Sequence, residues 1–275
     1  EALRLVHDLF QEEKFREVGQ DDIIDLARRI AEELIAGKEM LYDRMDVRAA
    51  DDYAYFHAVN VAVLSAMLGI QAGELDLEEL TMLTAAGLVH DVGRRYVEQE
   101  VLNAKRALTE EERMLVVQHA KLSYDFLEEH YDFGPELLAG VLEHHEWYNG
   151  CGYPMRRSGQ EISYFARILK IADVFDALTS RLPYHGPVSP SGAVDYILAN
   201  TGVEFDPDLA ELFVKKIAIY PVGCQVALSD GREALVLENS PDSLLRPKIK
   251  AAPEGEVVDL QSEAAKDLAV LELLV

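Results

Sequence analysis

Asp52-Tyr53-Ala54-Tyr55-Phe56-His57-Ala58-Val59-Asn60-Val61-Ala62-Val63-Leu64-Ser65-Ala66-Met67-Leu68-Gly69-Ile70 is the stretch that decides the fold. At 3.6 residues per turn, Val59, Ala62, Val63, Ala66 and Ile70 share one helix face, while Val61, Leu64 and Leu68 share another. A helix apolar on nearly every side belongs at the centre of a bundle. One residue is costly there. His57 lies on the row of Val61, Leu64 and Leu68, where an imidazole needs a partner.

Toward the N-terminus, the first forty-odd residues read as two or three helices. Asp21 and Asp22 offer an N-cap, Ile23, Leu26, Ala27, Ile30 and Leu34 form a stripe, and Gly37 offers a stop. Toward the C-terminus, helices are expected over about 77–90, 109–129, 134–146, 161–180, 189–199 and 207–219. Thr109 and Glu112 have the spacing of a capping box. Beyond Pro221, two short apolar stretches flank Ser229-Asp230-Gly231, a hairpin signal. The expected fold is mainly α: a helical extension over 1–47, a helical bundle over 48–220, and a small β-rich appendage over 221–275. No internal repeat or low-complexity tract interrupts it.

Composition narrows the classes of function. The 275 residues are 49% hydrophobic, enough for one sizeable core. With 50 acidic against 26 basic residues the formal charge is -24, which opposes DNA, RNA or an anionic membrane as a partner. An anionic substrate therefore needs a local positive device. Cys151 and Cys224 show neither metal-ligand spacing nor a disulfide framework, which fits a reducing cytoplasm. No apolar run is expected to span a membrane, and no signal-peptide pattern is seen. The first residue is Glu1 rather than methionine, so the expectation is a piece of a longer protein, with a sensor or membrane segment upstream.

Several ionisable residues fall on faces that should be apolar. His119 shares a stripe with Leu115, Leu122 and Phe126. Asp173 lies with Ile162, Phe165, Ala166, Leu169 and Ala172, and Asp176 continues that row. His90-Asp91 and His144-His145 stand at the ends of apolar helices. Any one such histidine is more often a satisfied core residue than a ligand. Five of the eight histidines, with two aspartates, in separate helices of one domain point instead to a shared interior. Imidazoles and carboxylates together suit Fe, Mn, Zn or Ni, and a set without cysteine argues against structural zinc. One aspartate bridging two ions would hold them roughly 3.5 to 4 Å apart.

These residues spell out a family resemblance. His90-Asp91-Val92-Gly93-Arg94 resembles the HD-x-G-K signature of the HD-GYP family, and His144-His145-Glu146 with Asn149-Gly150-Cys151-Gly152-Tyr153-Pro154 resembles its HHE…DG-x-GYP segment. Ile171-Ala172-Asp173-Val174-Phe175-Asp176-Ala177-Leu178-Thr179-Ser180 and Phe205-Asp206-Pro207 match later segments in the right order. The resemblance covers about residues 50–220 and implies an HD-type helical bundle. It implies that His57, His90, Asp91 and Asp173 surround one metal, and that Asp91 bridges to a second held by His119, His144 and His145. Two divalent ions are expected, iron or manganese first among the transition metals. Asp91 and Arg94 would be catalytic, and Arg94, Gly152, Tyr153, Pro154, Arg181 and His185 would meet the substrate.

The implied activity is hydrolysis of cyclic di-GMP to linear pGpG. The Gly-Tyr-Pro loop is an expected docking surface for a diguanylate cyclase (GGDEF) domain, and a homodimer is among the expected assemblies. The departures also carry weight. Tyr53 stands where some members place a glutamate that holds a third metal, so two ions are expected rather than three. Arg94 replaces the signature lysine, keeping the charge on a planar fork. Arg181-Leu182-Pro183-Tyr184-His185 stands for DRPYR, so two basic phosphate contacts become Leu182 and His185, and Arg181, displaced by one residue, compensates in part. These changes keep open a catalytically weak module acting as a receptor or docking domain, or a phosphohydrolase for another phosphoester. Trp147 reads as loop packing, Cys151 as a small filler, buried or partly exposed, and His7 and His130 lie outside any motif.

Overall fold

The computed structural model describes residues 2–11, 14–36, 50–102, 104, 106–180, 188–216, 220, 225–240, 243–253 and 255–274. Its N-terminal part is α1 (Ala2–Phe10), a 3-10 turn (Phe15–Glu17) and α2 (Gln20–Ile35). Ile23, Leu26, Ala27 and Ile30 are buried, as their spacing predicts. The cap differs from the expected one. Gly19 is the N-cap, and Asp22 works from inside the first turn, accepting the Gly19 amide at 2.9 Å. Gly37 lies outside the described residues.

The bundle comprises α3 (Ala50–Ala72), α4 (Leu77–Val89), α5 (Gln99–Leu102), α6 (Glu110–Val117), α7 (His119–His130), α8 (Pro135–Glu143), α9 (Tyr164–Thr179), α10 (Pro190–Ala199) and α11 (Pro207–Lys216). The central helix α3 packs on α4 and α9 and also meets α1, α2 and α11. Gly87 makes the closest approach possible, because a Cβ there would lie 2.5 Å from the Ala62 Cα. Tyr53–Ala72 is in fact long and apolar enough to cross a membrane, contrary to the expectation above. Hydropathy does not separate such a span from a core helix. Here Ala58, Val61, Ala62, Leu64, Ala66 and Leu68 are buried against neighbouring helices.

A second correction concerns 109–129, which is two helices broken at Gln118. The capping box at Thr109 and Glu112 forms as expected. Leu115, however, is 47% exposed and does not share the buried stripe of His119. α6 is acidic and buries no residue, so it lies on the surface, while the turn at Gln118 sends His119 inward. The 3-10 turn Val92–Tyr96 seats against α7, where the Gly93 amide donates to Ser123 Oγ at 2.8 Å and a Cβ at Gly93 would fall 2.3 Å from the His119 carbonyl oxygen.

The appendage is an antiparallel sheet of β1 (Gln225–Leu228), β2 (Glu233–Ser240), β3 (Ser243–Ala251), β4 (Glu256–Asp259) and β5 (Val270–Leu274), in the order β4-β3-β2-β1-β5. The predicted hairpin joins β1 and β2, with Gly231 at φ 86 and Asp230 Oδ1 accepting the Arg232 amide. Val226, Leu228, Ala234, Val236, Ile249 and Ala251 form its buried face, and β3 and β5 rest on α11 and α10.

Candidate metal centre

His57 enters from α3, His90 and Asp91 from the end of α4, His119 from the start of α7, His144 and His145 from just past α8, and Asp173 from α9. Three of the imidazoles are oriented in the same way. Each faces its Nδ1 to the carbonyl three residues earlier: His90 to Gly87 at 2.8 Å, His119 to Val116 at 2.5 Å, and His144 to Val141 at 2.7 Å. Those carbonyls belong to last helical turns, where intrahelical partners run out, although the Val116 carbonyl also accepts from the Gln118 amide. Since a carbonyl only accepts, Nδ1 carries the proton and Nε2 offers its lone pair to the interior.

His57 is held by a carboxylate instead. Its Nδ1 lies 2.7 Å from Asp176 Oδ2, and Asp176 Oδ1 accepts Asn60 Nδ2 at 2.8 Å. Its Nε2 lies 3.0 Å from Asp173 Oδ1. Asp176 and Asn60 join the candidate site through these contacts, Asp176 being read from the sequence only as continuing the row of Asp173 and Asn60 not being singled out. The available signal was positional, because Asp176 shares the row of Asp173 and Asn60 lies one turn from His57.

The aspartate of the HD pair sits between two groups of ligand atoms. Asp91 Oδ1 is 3.2 Å from His119 Nε2 and 3.8 Å from His144 Nε2, while Oδ2 is 3.5 Å from His90 Nε2 and 3.8 Å from His57 Nε2. Asp91, His119, His144 and His145 form one group of potential metal ligands, and His57, His90 and Asp173 form another. Within each, the ligand atoms lie within 4.8 Å of one another. The seven residues drawn from separate helices by sequence therefore share one interior.

The donor chemistry fits divalent metal. His90 Nε2 and Asp91 Oδ1 are buried without a hydrogen-bond partner among the described residues. The Nε2 atoms of His119 and His144 approach to 3.4 Å, and those of His145 and His119 to 3.1 Å. Crowded lone pairs in a dry interior call for a cation. Burial pushes His144 down to about 3, reinforced by charge on His90 and His119, and also pushes His90 and His145 down, so these rings favour the neutral, ligating form. Burial opposes the charged form of His57 as well, but hydrogen bonds to Asp173 and Asp176 overcome it and raise this ring to about 10. Burial works against the Asp91 carboxylate too, yet Arg94, His90 and His119 hold it well below the usual carboxylate range.

The surroundings follow the motif. Arg94 pairs with Asp91 Oδ2 at 2.8 Å while a quarter of its side chain stays exposed at the rim. Tyr53 stacks on His57 with ring centres 5.3 Å apart, and Tyr153 stacks on His145 at 4.8 Å. Gly152 lets the loop close, since a Cβ there would lie 2.2 Å from the Trp147 amide nitrogen. Pro154 follows, half-buried. Cys151 is exposed rather than a filler, because the turn fixed by Asn149 Oδ1 and the Cys151 amide faces it outward. Arg181, Leu182 and His185 lie outside the described residues. The Phe205-Asp206-Pro207 segment is fastened to α9 by Arg167–Asp206 at 2.5 Å and Lys170–Glu204 at 2.8 Å.

The pattern of the HD domain matches residues 26–209, two thirds of the chain. This chain belongs to the HD domain family. Its His144-His145-Glu146 and Gly152-Tyr153-Pro154 segments resemble those of the HD-GYP branch. A cyclic di-GMP phosphodiesterase of Pseudomonas aeruginosa is 34% identical over 228 residues, which are 82% of this chain and 54% of that protein. A 3'3'-cGAMP-specific phosphodiesterase of Vibrio cholerae is 36% identical over 144 residues, 52% of this chain and 33% of that one. The chain thus spans about half the length, or less, of these HD relatives. In structure, an HD-GYP-type protein of Bdellovibrio bacteriovorus, at 17% identity, superposes with a TM-score of 0.50 and 76% of each chain covered, which supports the fold.

Proposed function

We propose that this HD domain chain is a metal-dependent phosphodiesterase that opens cyclic di-GMP to linear pGpG. The observation that carries the proposal is Asp91, with one carboxylate oxygen toward His119 and His144 and the other toward His90 and His57. His57, His90, Asp91 and Asp173 would hold one divalent ion, and Asp91, His119, His144 and His145 a second, with iron or manganese suited to the nitrogen and oxygen donors. Divalent ions in such a site supply positive charge that offsets the negative charge developing on a phosphoryl group during in-line displacement.

The chain's own residues do the rest. The carbonyl-bound Nδ1 protons keep His90, His119 and His144 in one tautomer, and Asp176 does the same for His57. Arg94, tethered at Asp91, presents its exposed part to a phosphate oxygen. The Tyr153 ring forms a wall beside His145, where it excludes water and offers a face to a base. The Tyr53 ring covers His57, which supports two ions rather than three.

Asp176→Ala is expected to weaken metal retention about tenfold to a hundredfold, because the His57 ring loses its orienting partner. Titration of the metal-free variant with Mn2+, followed by calorimetry, checks this, and wild-type affinity would contradict it.

Relatives with two substrate names make the cyclic dinucleotide itself an open choice, and Leu182 with His185 favours weak phosphate binding. Two missing charge-assisted contacts are worth on the order of 1.5 to 3 kcal/mol each, several hundredfold in affinity together. Leu182→Arg with His185→Arg is therefore expected to lower KM for cyclic di-GMP. An unchanged KM in the folded, metal-loaded double variant would show that the ligand is held elsewhere. The same two positions keep the second reading in view, a receptor or docking module, or an enzyme for another phosphoester.

The test of function is anaerobic purification, loading with Mn2+ or Fe2+, and chromatography of products from cyclic di-GMP, 3'3'-cGAMP and a linear phosphodiester. Release of pGpG supports the proposal. Binding without turnover of any of these would favour the module. A diguanylate cyclase domain on the Gly152–Pro154 loop, a homodimer and a cytoplasmic site of action rest on the resemblance and composition alone. A division near 220/221 is supported by the change from helix to sheet, whereas the proposed boundary at 47/48 separates helices that pack together, α2 on α4 and α3.

A further inference from the structure

Glu146 directly follows His144 and His145, is 2% exposed, and turns its carboxylate on the chain's own backbone. Oε1 accepts the Met155 amide at 2.5 Å, and the backbone amides of Arg156 and Arg157 favour the charged form of the same carboxylate against its burial. Successive amides gathered on one anion form a nest, which needs a left-handed residue within it. Arg156 supplies that conformation at φ 57, in a region that favours glycine.

The nest closes the loop over the site. Between its two ends the Tyr153 amide donates to the His145 carbonyl at 3.2 Å, the Gly150 amide donates to that of Trp147 at 2.8 Å, and the Tyr153 ring lies on the His145 ring. The left-handed turn at Arg156 carries the Met155 amide onto Oε1 of the buried carboxylate, while Oε2 is buried without a hydrogen-bond partner among the described residues, so the loop and the carboxylate are costly features held together.

We propose that Glu146 is a positioning residue, an internal latch whose grip on residues 155–157 fixes Tyr153 against His145 and so fixes the orientation of His145. Its catalytic consequence rests on the role of His145 given above. The latch itself does not.

Trp147, the single tryptophan of the chain, reports directly on this loop. In the full metal-loaded protein, Glu146→Ala is expected to shift Trp147 emission to longer wavelength and at least double its quenching by acrylamide, with the helical signal in circular dichroism retained. The Mn2+ concentration giving half-maximal hydrolysis should rise roughly tenfold or more, with a smaller fall in kcat at saturating Mn2+. Glu146→Gln, which keeps the volume and one acceptor, should fall between Ala and wild type. Unchanged emission and quenching in Glu146→Ala would overturn the latch, as would loss of the whole fold in Glu146→Gln, since a latch confined to one loop does not hold the bundle. Altered fluorescence with wild-type Mn2+ dependence would overturn the positioning of His145. Should the wild type hydrolyse nothing, fluorescence and Mn2+ affinity by calorimetry decide the latch separately from the reaction.

Discussion

Asp91→Ala is expected to lose at least one of two bound divalent ions and to cut hydrolysis by about a thousandfold or more, equivalent to roughly 4 kcal/mol of transition-state stabilisation. Oδ1 of this carboxylate faces His119 and His144, and Oδ2 faces His57 and His90, so one substitution opens both groups. Asp173 bonds His57 at 3.0 Å but comes only to 3.8 Å of His145, so it ties the second group less closely than Asp91, whose Oδ1 lies 3.2 Å from His119. The substitution also releases Arg94, which the Asp91 carboxylate holds at 2.8 Å. Metal content by mass spectrometry and turnover on the same sample check the expectation. Full metal content with wild-type turnover would show that the catalytic centre lies elsewhere.

Removing the ions by chelation is expected to leave a fold that acid destroys. Burial holds His144 at about 3, well below the 6.5 of an exposed imidazole, and holds His90 and His145 down as well. Below pH 6.5 the unfolded chain gains protons on these rings while the folded chain does not, so stability falls as pH drops from about 6.5 toward the folded values. At pH 4, His144 alone accounts for about 3 kcal/mol. His57 has the opposite sign. Raised to about 10 by Asp173 and Asp176 against the effect of burial, it stabilises fully below 6.5 and loses that contribution as pH rises through 10. Three depressed rings against one raised ring make the acid side dominant. Adding Mn2+ back should raise the unfolding midpoint, because ions that bind only the folded chain stabilise it by mass action. Thermal melts from pH 4 to 10, with and without chelator, provide the measurement. A midpoint indifferent to chelator and flat between pH 6.5 and 4 would contradict it.

The sequence made the core legible wherever one periodicity governed one helix. The apolar rows of α3 and the mixed row of α9 carried His57 and Asp173 to the interior, and the adjacent pairs His90-Asp91 and His144-His145 announced helix ends. Local pattern did not reveal the break at Gln118. Val116-Val117-Gln118-His119-Ala120 contains neither glycine nor proline, and only the docking of Gly93 against α7 makes the turn necessary. Leu115 looked buried for the same reason. Asp176 was visible as a polar residue on a core row, yet its partner lies 119 residues away, a distance that periodicity does not cross. The tether between Arg94 and Asp91 escaped notice because the resemblance assigns that side chain to substrate. Hydropathy, finally, is blind to what surrounds an apolar helix, and the membrane-length stretch in α3 packs on α4 and α9 and also meets α1, α2 and α11.

The measurement that bears most directly on the two-ion centre is an anomalous difference map from crystals of the wild-type protein grown with Mn2+ and recorded at the manganese edge. The expected result is two strong peaks within bridging distance, one touched by His57, His90 and Asp173, the other by His119, His144 and His145, with Asp91 reaching both. A single peak away from Asp91, or no peak inside the bundle while these seven side chains stay clustered, would contradict it.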